Sequence, residues 1–312
     1  MGVINLKIFN IILILLFAIP FSYKYDDGMY TYKSLADEDS QFVKIDGIDI
    51  HYKKYGSKDK YIILLHGFGS GTYTWDKTIK ELSEKFTVIS FDRPGFGITE
   101  RVFNENLNPY NTDYHIELIK KIMDEFKIKK TTLIGNSAGG SLATLFTNKY
   151  PNLVENLILV DAAIYTGGGS PDFIKPFLNI PQINYLGPEI SSNLLLNASE
   201  DLLKLSFYDE NKIDENTLEK YKKPLKVKGY KKAFWEFTKG SKMYNFESII
   251  SNIKNKTIII HGKKDEIIPY TDSIRLFENI ENSELFLIDN CGHVPQEECP
   301  EVFINIIKKA IK

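Results

Sequence analysis

Gly135-Asn136-Ser137-Ala138-Gly139-Gly140 stands between an apolar run, Thr131–Ile134, and a helix-like stretch, Ser141–Tyr150. A serine at a sharp strand-to-helix turn projects its hydroxyl above the sheet, beside the free N–H groups of a helix N-terminus. Gly135 and Gly139 remove the side chains that would clash in such a turn. The spacing makes Ser137 a candidate nucleophile. A serine hydroxyl is weak alone; it needs a base, and the base needs an orienting acid. The chain has five histidines. His51 lies in a first hairpin, His66 ends a strand, His115 begins a helix, and His261 ends the strand before Asp265. His293 sits in Asn290-Cys291-Gly292-His293-Val294-Pro295, just after the last strand. Open α/β sheets place their chemistry in such loops, so His293 is the expected base. Asp265 keeps the chain order Ser, Asp, His and is the expected acid, with Asp161 as the alternative. The bland reading of Asp265 is a loop carboxylate paired with Lys263 or Lys264, worth at most about 1 kcal/mol.

Attack on a carbonyl leaves negative charge on its oxygen, which calls for two donors. The N–H after the nucleophile belongs to Ala138. The second is expected from the loop His66-Gly67-Phe68-Gly69-Ser70-Gly71, at the N–H of Phe68. His66, Gly67, Gly135, Asn136 and Gly139 would support this loop and the turn. The glycine-rich loop is not a nucleotide cradle: no Lys-Ser or Lys-Thr follows it, and no acidic residue lies at the ribose spacing. No cofactor is expected. Cys291 and Cys299 do not form a paired zinc pattern, so no metal is expected either; free thiols are the favoured reading, with a disulfide the alternative if the chain is exported. Asn197-Ala198-Ser199 and Asn255-Lys256-Thr257 match a glycosylation sequon that chance supplies often.

The elements that must hold these residues alternate. Phe42–Ile45 and Ile48–Tyr55 flank Asp46-Gly47, the two-residue signal of a tight hairpin. Tyr61–Leu65, Thr87–Phe91, Thr131–Ile134 and Leu157–Val160 are short and apolar on both faces, as parallel strands covered by helices are. Thr257–Ile260 and Leu285–Ile288 follow near the end. Trp75–Lys85, Tyr114–Phe126 and Pro300–Ile311 have helical spacing. The pattern predicts a doubly wound α/β sheet. Between Ile164 and Tyr244 the alternation stops, and helix-like segments punctuated by Pro176, Pro181, Pro188 and Pro224 predict a helical insertion.

Taken together, His66-Gly67, Asp92-Arg93-Pro94-Gly95-Phe96-Gly97, the serine turn, Asp265 and Gly292-His293 resemble the α/β-hydrolase superfamily from about Phe42 to the C-terminus. The resemblance implies a mostly parallel sheet, a Ser137–His293–Asp265 triad and a helical cap at 164–244. It implies that Asp92 and Arg93 fix the turn after the fourth strand. The expected division is 1–23 signal anchor or signal peptide, 24–41 linker, 42–163 and 245–312 the two parts of the core. The broad expectation from the resemblance is a serine hydrolase of a carboxylic ester, esterase or lipase-like, with a small acyl ester or lipid-like substrate. Hydrolases that cleave carbon–carbon bonds of ring-fission dienoates often show Gly-Asn-Ser-x-Gly-Gly and are the alternative. A non-enzymatic small-molecule receptor on the same fold is the rival from another class.

Composition agrees with a globular chain: 43% hydrophobic residues among 312 exclude long disorder, and two cysteines exclude a disulfide scaffold. A net charge of −2 argues against a nucleic-acid partner. The run Ile8–Phe21, preceded by Lys7, fits a secretory signal and is short for a span, yet small residues for cleavage are missing. The expectation is a membrane anchor with an extracytoplasmic domain, or a secreted enzyme if the segment is removed. Seven lysines between Lys220 and Lys232, with Phe234, Trp235 and Phe237 beside them, read either as a solvated face or as a cap edge on an anionic bilayer. The same aromatics could instead line a pocket under the cap.

Overall fold

A computed structural model describes residues 27–104, 106–166 and 168–311, without the side chains of 195–198. The expected strands form one eight-stranded sheet: β1 Gln41–Ile45, β2 Ile48–Tyr55, β3 Tyr61–Leu65, β4 Thr87–Phe91, β5 Thr131–Asn136, β6 Val154–Val160, β7 Lys256–Gly262 and β8 Ser283–Ile288. Their order is β1-β2-β4-β3-β5-β6-β7-β8. β2 runs antiparallel to β1 and β4, and the remaining neighbours are parallel. The β1–β2 turn needs positive φ at both central residues, and Asp46 and Gly47 supply it at 51° and 84°.

Period-two alternation sorts the buried strand residues onto two faces. Ile63, Leu65, Ile89 and Leu133 pack under α1 (Thr112–Glu125) and α2 (Ala138–Lys149). Ile62, Leu64, Val88 and Ile134 face the other way, onto Trp75 and the apolar side of the last helix, Pro300–Ala310. Each such buried Ile or Leu contributes about 1.5–3 kcal/mol. The side chain of Asn111 caps α1 by accepting the Tyr114 N–H at 2.7 Å.

The expected helix over Trp75–Lys85 is reduced to a 3₁₀ turn, Thr72–Trp75, and a single α turn, Ile79–Leu82. Threonines explain this. Thr74 and Thr78 donate to the carbonyls of Gly71 and Trp75, a local alternative to the helical ladder.

The insertion between β6 and β7 is helical, with α3 Pro181–Ser206, α4 Glu215–Lys222 and α5 Tyr230–Gly240. Pro181 starts α3, where its missing N–H does no harm, but Pro188 lies inside it rather than ending it. Gly187 lets Trp235 lie against α3, since a Cβ there would meet the indole at 2.3 Å. The stretch read as a linker is docked. Asp27 accepts the Lys231 N–H at 2.7 Å, and Tyr30 exchanges backbone bonds with Lys226 and Lys228.

The lysine run divides: four of its seven members are exposed, and several meet carboxylates. Lys220 meets Asp76 at 2.6 Å, Lys223 meets Asp37, Lys226 meets Glu219 at 2.8 Å, and buried Lys231 meets Glu189 at 2.6 Å. Lys232 lies over the Phe103 ring, while Lys222 and Lys228 are exposed. The apolar run Ile8–Phe21, expected to anchor the chain, lies outside the described residues. Among the described residues no helix is long and apolar enough to cross a membrane.

Candidate active site

β5 runs into the turn and α2 leaves it. Ser137 between them adopts φ 53° and ψ −122°, a strained conformation of the kind that persists where surrounding structure over-determines it. Two glycines make it possible. A Cβ on Gly135 would lie 2.3 Å from the Gly139 carbonyl oxygen, and one on Gly139 would lie 2.2 Å from that of Leu65. The Ser137 N–H donates to the Val160 carbonyl at 2.9 Å, fixing the turn to β6. Asn136 ties it to the histidine loop, since its Nδ2 donates to the His293 carbonyl at 3.0 Å.

His293 is largely buried and reaches Asp265, with Nδ1 to Oδ2 at 2.7 Å. Its backbone N–H donates to the carbonyl of Ser206, the last residue of α3, at 2.8 Å. The loop is also closed by a Cys291–Cys299 disulfide. This corrects the free-thiol expectation: the short helix Pro295–Glu298 folds back and brings the two cysteines together.

Asp265 fills its carboxylate. One oxygen accepts the Ile267 and Ile268 N–H groups at 2.7 and 2.9 Å; the other faces His293 and lies 3.2 Å from His261 Nε2. Burial pushes its pKa up, but the bonds with His261 and His293 outweigh that and hold it well below the usual range. Asp161 behaves oppositely. Burial and the neighbouring Asp265 push its pKa well up. Its Oδ1 accepts the Gly262 N–H at 2.9 Å and lies 3.4 Å from His261 Nε2, and Oδ2 has no partner. The structure therefore brings Asp265 to His293, and Asp161 sits behind it with its pKa pushed well up.

Of the other histidines, His66 is driven down to about 3 by burial and by Arg93. It is neutral and serves the loop. Arg93 donates to the carbonyls of both His66 and Gly67 at 2.9 Å, and its backbone N–H to His66 Nε2 at 3.2 Å. Gly67 lies against the turn, where a Cβ would be 3.4 Å from that of Ser137. His51 pairs with Asp92 at 2.7 Å, and His115 is buried beneath Phe96 and Phe237.

Among the described residues neither the Phe68 nor the Ala138 N–H is donated to another protein group. None of them closes a hydrogen bond between the Ser137 hydroxyl and His293, yet both line one cavity of about 510 Å³. Catalytic contacts are often long without substrate. The cavity takes Phe68 and Phe96 from the core, and Leu203, Leu218 and Phe234 from the cap. Phe234 and Phe237 pack on Phe68 with ring centroids 5.8 and 6.0 Å apart. Phe234 stands where one sequence reading put it, in a pocket under the cap, whereas Leu203 and Leu218 were not assigned from sequence. Asp161, His261 and Asp265 gather as a metal site would, as do Cys291, Glu298 and Cys299. The first set is engaged by backbone N–H groups and the second contains the disulfide.

Behind the histidine loop, Glu297 is buried with Tyr221 donating to Oε1 at 2.7 Å. Burial raises its pKa to about 8, against the opposing pull of that bond and of Lys77. The folded protein then holds a proton that the unfolded chain releases near pH 4.5, so stability is lost as pH rises from there toward 8. Glu297→Gln should raise Tm at pH 8 and leave it unchanged near pH 4. Thermal melts across that range check it, and a uniform loss at every pH would show a folded-state carboxylate instead.

Residues 60–300 match the model of the alpha/beta hydrolase fold family. The chain belongs to that family, and it is a hydrolase. It is 29% identical over 267 residues to the 2-hydroxy-6-oxononadienedioate/2-hydroxy-6-oxononatrienedioate hydrolase of Escherichia coli K12, covering 83% of this chain and 89% of that protein. It is 26% identical to a meta-cleavage product hydrolase from Pseudomonas fluorescens IP01, with TM-score 0.65 and coverage of 86% and 96%. A membrane phospholipase A, 21% identical with TM-score 0.67, covers 98% of this chain and 96% of its own and shares the fold. These findings overturn the carboxylic-ester expectation. The curated relatives are named for an oxo-dienedioate, and two of the similar solved structures for meta-cleavage products. The triad chemistry read from sequence is common to both reactions, so it could not separate them.

Proposed function

We propose that this chain hydrolyses the carbon–carbon bond beside the ketone of a 2-hydroxy-6-oxo-dienoate. The observation that carries the reading is its similarity, across most of both chains, to proteins named for that chemistry, joined to the Gly135–Gly140 turn. In such a substrate the ketone is conjugated through the diene to an enol. Moving the enol proton to the carbon next to the ketone leaves an α-oxo group that can accept an electron pair through the remaining double bond. Ser137 Oγ adds to the ketone carbon as His293 Nε2 takes its proton. Asp265 holds the imidazole with Nδ1–H toward itself, and the N–H groups of Phe68 and Ala138 meet the new oxyanion. Collapse breaks the carbon–carbon bond. The pair moves onto the α-oxo oxygen, His293 returns its proton there, and a shorter hydroxydienoate leaves. Water, deprotonated by His293, then releases the acid from Ser137.

The wild-type protein should bleach the dienolate absorbance of such a substrate and release one carboxylic acid and one shorter dienoate, measured by absorbance and chromatography. A panel of dienoates of differing ketone substituent left intact by protein that still labels with a fluorophosphonate would overturn the reading.

A further inference from the structure

Six large apolar side chains of the cap stand exposed between Phe173 and Leu194. They are Phe173, Phe177, Ile180, Ile183, Ile190 and Leu194, and the most open are Phe173 at 75% and Leu194 at 68%. Ile183, Ile190 and Leu194 fall at steps of seven and four along α3, which puts them on one stripe of the helix. Charge is nearly absent around them. The whole chain is 26% charged, yet residues 173–199 hold only Lys175 and Glu189. Both are paired, with Asp172 at 2.8 Å and with Lys231 at 2.6 Å. The lysine run and its aromatics do not make this face: Phe234 and Phe237 pack on Phe68, and Trp235 lies against α3.

The chain enters the fold at the same corner. The Asp27 carbonyl accepts the Gly229 N–H at 2.6 Å and its carboxylate the Lys231 N–H at 2.7 Å, where α5 begins. Lys231 in turn meets Glu189, the neighbour of Ile190 on α3. Six residues before Asp27 ends the run Ile8–Phe21, apolar but for Asn10. Six residues reach at most about 20 Å, so the run is tethered close to the Ile190 end of the stripe. Exposed apolar faces mark protein or membrane contacts. A protein partner seated on the stripe would leave the run uncovered, whereas one apolar phase takes both.

We infer that this face of the cap lies in the surface of a lipid bilayer, with the stripe of α3 among the acyl chains as an interfacial helix sits. The C-terminal part of α3 lines the cavity through Leu202, Leu203 and Ser206, so one helix touches both lipid and site. The inference goes beyond the proposed reaction and does not depend on it.

The test places the full chain in phosphatidylcholine vesicles, labels it with a lipid-soluble carbene probe and maps the sites by mass spectrometry. Incorporation should concentrate in residues 173–194, above the level at Phe277 and Val302, exposed apolar side chains elsewhere. High salt should leave the pattern in place, because salt screens charges and this contact uses none. Ile183→Gln, Ile190→Gln and Leu194→Gln together should lower incorporation across the stretch to the level of the two controls. Tm and fluorophosphonate labelling of Ser137 should stay as in wild type, since none of the three lines the cavity. The inference is overturned by control-level incorporation in the wild type, by its loss in high salt, which would return the contact to the lysines, or by wild-type incorporation in the triple variant. It is overturned too if the stretch is shielded from the probe and sedimentation shows self-association that the triple variant abolishes. Dienoate turnover plays no part in the readout, so failure of the proposed reaction leaves this result standing.

Discussion

Ser137→Ala should lower turnover about 10⁶-fold and abolish fluorophosphonate labelling, with His293→Ala nearly as severe and the double variant no worse. The non-additivity follows from the proposed mechanism, in which nucleophile and base act as a single device, so removing either disables it. The measurement also separates two constellations in this chain. Ser40 Oγ lies 2.8 Å from His51 Nε2, and His51 Nδ1 lies 2.7 Å from Asp92 Oδ2, which is the connectivity of a triad. It lacks the rest. The Ser40 hydroxyl accepts the Asp37 N–H at 2.9 Å, and Ser40 stands before an edge strand rather than at a helix N-terminus. Asp92 in turn holds the N–H groups of Thr72 and Ile98, which makes the set a structural clasp. Labelling that persists in Ser137→Ala and maps to Ser40 would reverse this assignment.

Much of the positioning scaffold was legible because it rests on local rules. Strands buried on both faces show as unbroken apolar runs, Asp46-Gly47 names its own turn, and Gly135 and Gly139 are where any side chain would strike backbone. Chain order was enough to prefer Asp265 over Asp161. What escaped reading depends on contacts distant in sequence. The threonine hydroxyls that shorten the Trp75 segment compete locally, but Pro188 inside α3 is tolerated only in a packed helix. The pairing of Lys220, Lys223 and Lys231 needs Asp76, Asp37 and Glu189 brought across from elsewhere. The Cys291–Cys299 pairing needs the Pro295–Glu298 turn. The reaction itself was the least legible element, because Ser137, His293 and two N–H donors serve ester and carbon–carbon cleavage alike. The distinction lies in what the cavity holds, and its walls come from cap helices whose phase carries no motif.

The two aspartates give the sharpest contrast. Asp265→Asn should reduce turnover about 10⁴-fold, because an amide no longer holds the imidazole in the tautomer that leaves Nε2 free to accept the serine proton. The native carboxylate is held ionised by His261 and His293 despite its burial. Its folded pKa lies below the unfolded value near 4, so its stabilisation is present above that value and is lost as pH falls from there through the folded pKa. Asp161 runs the other way. Burial first, then the charge of Asp265, pushes its pKa well up, while the unfolded chain ionises it above about pH 4. It therefore subtracts stability as pH rises from that point. Asparagine mimics the uncharged form: its Oδ1 can still accept the Gly262 N–H, and it leaves no charge to bury. Asp161→Asn should keep turnover within severalfold of wild type and raise Tm at pH 7, with the gain fading toward pH 3. Kinetics and melts on the two variants check both halves. If Asp161→Asn were inactive and Asp265→Asn mild, the proton bookkeeping of the pair would be inverted and His293 would take its orientation from the other carboxylate.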